Sequence, residues 1–162
     1  MRNPTIYAVG YGNRDWDTFL NLLQEYAITM LVDIRTLPFS RFNPAFRQAA
    51  LERGLQEADI EYKFMGDELG GKPKDASLYT NGKLNYDLVE VSPAYKEGIL
   101  KLLELEKQGG RICIMCSELK PDNCHRKNLV GRTLVRMDVT INHIDEKGKI
   151  QVQENENEGR LF

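Results

Sequence analysis

Cysteine, histidine and tryptophan are scarce in this 162-residue chain, which holds three, two and one of them. An odd cysteine count, in a sequence without an export signal, favours free thiols over a disulfide framework. No segment approaches the ~20 consecutive apolar residues of a membrane helix. Met1-Arg2-Asn3-Pro4 leads straight into a strand-like run, not into the apolar stretch of a signal peptide. The expected compartment is the cytoplasm, with no membrane partner. Excess positive charge is also missing: 22 Lys and Arg stand against 24 Asp and Glu, for a net charge of −2. That balance argues against a protein that coats nucleic acid. It allows a local basic patch, because acidic residues gather between Asp145 and Glu158. Internal repeats and low-complexity segments are absent, and the length suits one domain with a proper core.

What is present is an alternation of short β-type runs with helical periodicities, the pattern of an α/β layered fold. Thr5 to Val9 reads as a first strand, followed by the glycine-punctuated turn Gly10-Tyr11-Gly12-Asn13-Arg14. Trp16, Phe19, Leu20, Leu23, Tyr26 and Ala27 then recur at helical spacing behind Asp15, a natural N-cap. Met30 to Ile34 is a second strand. Asn43-Pro44 reads as the cap and first position of a helix running to about Ala58, and Ile60 to Met65 as a third strand. The stretch from Lys72 to about Val91 is too polar and broken to assign. Ser92-Pro93 opens a helix with Tyr95, Ile99, Leu102 and Leu103 on one face, stopped by Gly109-Gly110. Ile112 to Met115 is apolar throughout, as in a strand buried on both faces. Leu129, Val130, Thr133, Leu134 and Met137 follow at helical spacing, with Pro121-Asp122-Asn123 as start signals. That reading puts Cys124, His125 and Arg126 in the first helical turn. Val139 to Ile144 is a further strand, and Ile150-Gln151-Val152-Gln153 an edge strand. The expectation is a single α/β domain, a mostly parallel sheet flanked by helices, with its motifs within about 5–144 and an acidic tail over 145–162.

Cys116 to Arg126 is the segment richest in reactive groups: two thiols, the Glu118 carboxylate, the His125 imidazole and a guanidinium. Open α/β sheets bind ligands outside the carboxyl ends of their strands, and helix N-termini favour anions. The expected rim therefore gathers Tyr11, Arg14, Asp33, Arg35, Arg41, Gly70, Gly71 and Arg126 as ligand-binding residues. Cys116, Glu118, Cys124 and His125 are its candidate catalytic groups. Arginines in such places suit bidentate recognition of phosphate or carboxylate, while Tyr11, Phe39 and Phe42 offer faces on which a base can stack. A solvated basic face and aromatic packing lids are the plainer alternatives. Cys124 has surroundings that lower a thiol pKa, against its alternative as a structural cysteine. Zinc or iron on Cys116, Cys124 and His125, with Glu118 or His143 added, is chemically adequate but poorly spaced. Cys113 reads as core.

Gly10-Tyr11-Gly12-Asn13-Arg14, Val32-Asp33-Ile34-Arg35-Thr36-Leu37-Pro38-Phe39-Ser40-Arg41-Phe42-Asn43-Pro44, Glu68-Leu69-Gly70-Gly71 and Cys116-x-Glu118 with Pro121 and Cys124-His125-Arg126 occur in that order. Together they resemble the domain-of-unknown-function 488 family, from about Thr5 to His143. Gly12 departs from the serine more usual there, which removes a hydroxyl. The resemblance implies a compact α/β domain with these motifs at one place, and it implies no particular reaction. The leading expectation is an enzyme-like domain binding a small anionic, phosphate-bearing ligand, a nucleotide or nucleic-acid end, with Arg35, Arg41 and Arg126 converging on it. The alternatives are a nucleic-acid accessory module without turnover and a metal-binding protein. Cofactor and oligomeric state stay open.

Overall fold

A computed structural model describes residues 3–154. In chain order its strands are β1 (Thr5–Gly10), β2 (Met30–Asp33), β3 (Glu61–Phe64), the short β4 (Tyr79–Thr80) and β5 (Lys83–Leu84), then β6 (Ile112–Cys116), β7 (Thr140–Ile144) and β8 (Ile150–Val152). The helices are α1 (Trp16–Glu25), α2 (Gln48–Glu57), α3 (Gly66–Leu69), α4 (Tyr86–Glu90), α5 (Pro93–Lys107) and α6 (Arg132–Arg136). Six strands form one sheet in the order β3-β2-β6-β1-β7-β8, parallel except for the antiparallel edge strand β8. The separate antiparallel pair β4-β5 is a small hairpin. No helix among the described residues is long and apolar enough to cross a membrane.

Successive side chains of a strand face opposite sides, so each central strand feeds two cores. Tyr7, Val9, Leu31, Cys113 and Met115 pack with Phe19 and Leu23 of α1 and Leu51 and Leu55 of α2. Ile6, Ala8, Val32, Ile112 and Ile114 pack with Tyr95, Ile99 and Leu102 of α5 and with Leu129, Val130 and Leu134. Burial of each such Leu or Ile contributes roughly 1.5–3 kcal/mol. Local signals place the helices: the Asp15 carboxylate accepts from the Thr18 N–H at 2.8 Å to cap α1, and Pro93 occupies the first turn of α5.

Two expectations are corrected and one unassigned stretch is filled in. The helix read from Asn43-Pro44 is split: Pro44–Phe46 make a 3₁₀ turn, Arg47 is extended, and α2 begins at Gln48. Within the stretch left unassigned lie the β4-β5 hairpin and α4, the latter capped by the Asn85 side chain. Pro121-Asp122-Asn123 form a 3₁₀ turn of their own, and the following helix opens with a wide π-helical segment, Arg126–Gly131. Cys124 is therefore not in the first helical turn. Its backbone is extended (φ −125°, ψ 144°), and its carbonyl accepts from Lys127 and Asn128, which makes it the cap. The edge strand read at Ile150 is present as β8, while the tail beyond 154 lies outside the described residues.

The sheet order positions the site. The crossover from β1 runs through α1 toward β2, and the one from β6 runs through α6 toward β7, on opposite faces. Because β1 and β6 are neighbours, their carboxyl ends form the topological switch where such sheets bind ligands. The two exits stay joined beyond the strands, the Tyr11 N–H donating to the Cys116 carbonyl and the Gly12 N–H to the Ser117 carbonyl. A β-carbon on Gly10 would overlap the Glu118 carbonyl oxygen and meet the Arg126 guanidinium. Gly10→Ala is expected to destabilise the fold by about 3 kcal/mol or more, because the obstacle is backbone. Gly110→Ala is its control, since its nearest heavy atom stands 3.5 Å away. Equal urea midpoints for the two variants would contradict this account of the switch.

Candidate functional site

Arg126 descends from the start of the helix into the switch and is 0% exposed. Its Nη1 donates to Cys116 Sγ at 3.0 Å and to the Glu118 carbonyl, and its Nη2 to the Leu119 carbonyl at 3.2 Å. Nε is buried without a partner. No carboxylate pairs with this guanidinium among the described residues. Burial pulls its pKa down to about 10, so it stays charged at neutral pH.

The sulfurs of Cys116 and Cys124 meet beside it and are placed as a disulfide pair, their Cα atoms 7.6 Å apart. The expectation of free thiols holds for Cys113, a core residue whose buried thiol is pushed well above the ordinary cysteine range, whereas Cys116 and Cys124 are placed as a pair. The sequence concealed the pair because its partners stand on a strand end and a helix cap, brought together only by the switch. Cys124 Sγ also accepts the Arg126 N–H at 3.4 Å, a capping contact made by sulfur. His125 donates from Nε2 to the Ile34 carbonyl at 3.0 Å, which leaves Nδ1 as an acceptor 3.7 Å from Cys124 Sγ. Burial lowers the His125 pKa, and the Arg126 charge adds to that. Gly71 packs against this imidazole, and Gly70 against the Thr36 hydroxyl. The Glu118 side chain is exposed while its carbonyl faces inward.

The remaining predicted arginines divide by direction. Arg35 is buried and doubly bonded to Asp33, with Nε and Nη2 on the two carboxylate oxygens at 2.9 and 2.8 Å. It also donates to the Phe46 carbonyl at 2.7 Å and faces the Tyr11 ring. Tyr62 donates to the same carboxylate at 2.7 Å, and burial together with Asp33 holds its phenol protonated. Sequence reasoning missed Tyr62. Strand parity could have found it, since its register partner Leu31 shares a face with Asp33. Tyr11 is buried and stacked on Phe46 at 4.3 Å. Arg14 is buried and bridges the Gly10 and Asp145 carbonyls. Arg41, by contrast, is exposed and lies over Phe42. No described contact joins Arg35, Arg41 and Arg126.

The loop between β2 and α2 faces outward. Leu37 is 71% exposed, Phe39 48% and Phe42 89%. Arg41 stands over the Phe42 ring at 5.3 Å, and Arg47 over the Phe39 ring at 4.6 Å. The Thr36 hydroxyl accepts the Lys72 N–H at 2.9 Å, which brings Lys72 beside this loop. No carboxylate pairs with Arg41, Arg47 or Lys72 among the described residues, whereas Lys127 is taken by Asp122, and Arg132 and Arg136 by Glu90. Arg47 was missed because it was read as helical.

His143, on β7, lies apart from the cysteines. It is 1% exposed and bonded through Nε2 to Gln153 Oε1 at 2.7 Å, while Gln153 Nε2 donates to the Lys127 carbonyl inside the π-helical segment. Among the described residues no group of three or more His, Cys, Asp or Glu is arranged to hold a metal ion.

A family model described as "Domain of unknown function DUF488" matches residues 15–133, well over half of the chain. No curated protein and no solved structure matches.

Two outcomes follow from these geometries. Asp33→Ala strands the buried Arg35 charge and is expected to cost about 3–5 kcal/mol, read from urea unfolding; a loss below about 1 kcal/mol would contradict the pairing. Burial depresses the His143 pKa from 6.5 to about 4. Between those values the unfolded chain binds the extra proton, so stability falls as pH drops from about 6.5 to 4 and is flat above that range. The slope attributable to His143, at most about 1.4 kcal/mol per pH unit, should vanish in His143→Gln.

Proposed function

The chain belongs to the domain-of-unknown-function DUF488 family, and on the geometry of its rim we propose that it binds a phosphate-bearing nucleotide unit, free or at the end of a nucleic-acid strand. One observation carries this reading. Two exposed aromatic rings, Phe39 and Phe42, each lie under an arginine that no carboxylate among the described residues neutralises, on a loop tied through Thr36 to Lys72. Exposed aromatic faces are sites for base stacking, and arginines beside them suit phosphate. In this reading Arg41, Arg47 and Lys72 make the anion contacts. Arg14, Arg35 and Arg126, with Asp33 and Tyr11, hold the frame on which the loop stands. Contacts of Thr36 with Gly70 and of Gly71 with His125 connect the loop to the cysteine cluster. Cys124, His125 and Glu118 are then the reactive groups of an enzyme-like site.

A second reading, binding without turnover, is favoured by the pairing of Cys116 with Cys124, which ties up both thiols of the cluster. Incubating the fully reduced protein with a 5′-phosphorylated oligonucleotide separates the two, since only the first yields a product.

Binding itself is tested by fluorescence anisotropy with a short single-stranded oligonucleotide and, in competition, with a mononucleotide. Phe42→Ala is expected to weaken binding roughly 5- to 100-fold, the worth of one stacked base. Arg41→Ala should reduce the slope of log affinity against log salt by roughly 0.7. Both side chains are exposed, so neither variant threatens the fold. Affinity unchanged in both variants, or no binding by the wild type at low salt, would overturn the proposal.

A further inference from the structure

We propose that Cys116 and Cys124 are a reversible dithiol–disulfide pair in which Arg126 holds the reduced Cys116 as a thiolate. The inference stands on the thiol pair and its surroundings and is independent of the nucleotide reading.

A fully buried guanidinium ordinarily has an anionic partner, because an uncompensated charge away from water is costly. Arg126 has none among the described carboxylates. What it touches at 3.0 Å is Cys116 Sγ, its other acceptors being the Glu118 and Leu119 carbonyls. A thiolate at that sulfur supplies the missing charge, and a disulfide removes it. Reduction therefore satisfies Arg126 while oxidation leaves it with neutral acceptors, so Arg126 favours the reduced state. Cys124 is equipped differently. It caps the helix, takes the Arg126 N–H on its sulfur, and faces Nδ1 of His125 at 3.7 Å, an acceptor for a thiol proton. The two sulfurs thus have distinct roles: Cys116 is the stabilised leaving group and Cys124 the sulfur that is attacked.

The exchange partner is a dithiol. One of its thiolates attacks Cys124 Sγ, the bond between Cys124 and Cys116 breaks, and Cys116 departs as the thiolate held by Arg126. The second thiol of the reductant then attacks the mixed disulfide, freeing Cys124 as a thiol and leaving the reductant as its own disulfide. Two electrons pass to the pair. Of the two protons on the dithiol, one stays on Cys124 and one goes to solvent. Both sulfurs are nearly closed to solvent, which suits a small dithiol over a bulky one.

The native protein is equilibrated at pH 7 in mixtures of reduced and oxidised dithiothreitol, quenched with acid, alkylated, and mapped by mass spectrometry at Cys116 and Cys124, with circular dichroism recorded on the same samples. Both cysteines are expected to be protected at the oxidised end and alkylated at the reduced end, the fold persisting throughout. A pair that never forms, or that opens only as the fold melts, overturns the proposal. The role of Arg126 is read separately from thiolate absorbance at 240 nm against pH in Cys124→Ser. Cys113 does not interfere, its buried thiol titrating far higher. Cys116 should titrate at least one unit below the ~8.5 of a free cysteine. Arg126→Lys, which keeps the charge but loses the reach of the fork, should raise that value. Should Arg126→Lys fail to fold, the Cys124→Ser titration decides alone: a Cys116 thiol titrating at or above ~8.5 overturns the thiolate assignment.

Discussion

A guanidinium taken wholly out of water governs the arrangement around the carboxyl ends of β1 and β6. Arg126 fills the crevice that the sheet order opens there, and its fork of donors gathers Cys116 Sγ and the Glu118 and Leu119 carbonyls. Three backbone features depend on that. The loop after β6 is drawn over β1 so closely that residue 10 must lack a side chain, the helix start is pulled against the sheet, and Cys124 is set beside Cys116. Hydrogen bonds to a charged donor inside a protein are stronger than their neutral counterparts, which suits one residue to hold so many elements.

The same economy of direction separates the basic residues of the rim. Arg14, Arg35 and Arg126 are buried and turned onto carbonyls, a carboxylate and a sulfur, the Arg126 Nε being left without a partner. Burial is tolerable for them because each hydrogen bond is made to an acceptor already fixed by a strand or turn. Arg41 and Arg47 instead lie over phenyl rings at the surface, where a guanidinium keeps its hydration on one face and an apolar neighbour on the other. The outward set is exposed, and the inward set ties together the strand exits beneath it.

The π-helical segment is fastened to the edge of the sheet. In the wide turn the Lys127 carbonyl accepts the Arg132 N–H, and the Gln153 amide of the edge-strand region adds a second donor to it, while the Gln153 oxygen accepts from His143 Nε2. Space for that amide exists because residue 131 is glycine: a β-carbon there would overlap Gln153 Oε1. The edge of the sheet is thereby tied to the helix that carries His125 and Arg126, so a strand far along the chain helps place the thiol cluster. π-Bulges of this kind recur at functional sites.

Much of the fold was legible in the residues themselves. The uniformly apolar Ile112-Cys113-Ile114-Met115, the capping Asp15, the Ser92-Pro93 start and the alternation at Ile150 each carry local information, and each appears where that information puts it. The motif-bearing loops were also correctly assigned to strand ends, because the alternation of strands and helices dictates which ends converge. Direction and pairing were not legible. Whether an arginine at a strand end points to solvent or to a carbonyl depends on acceptors 4 to 131 positions away in sequence, as for Arg14 with Gly10 and with Asp145. Nor does spacing reveal that Cys116 meets Cys124, or that the helix starts wide instead of regular. Propensity and periodicity report only on neighbours along the chain, whereas buried charges and thiols are placed by whichever partners the packed sheet brings within reach.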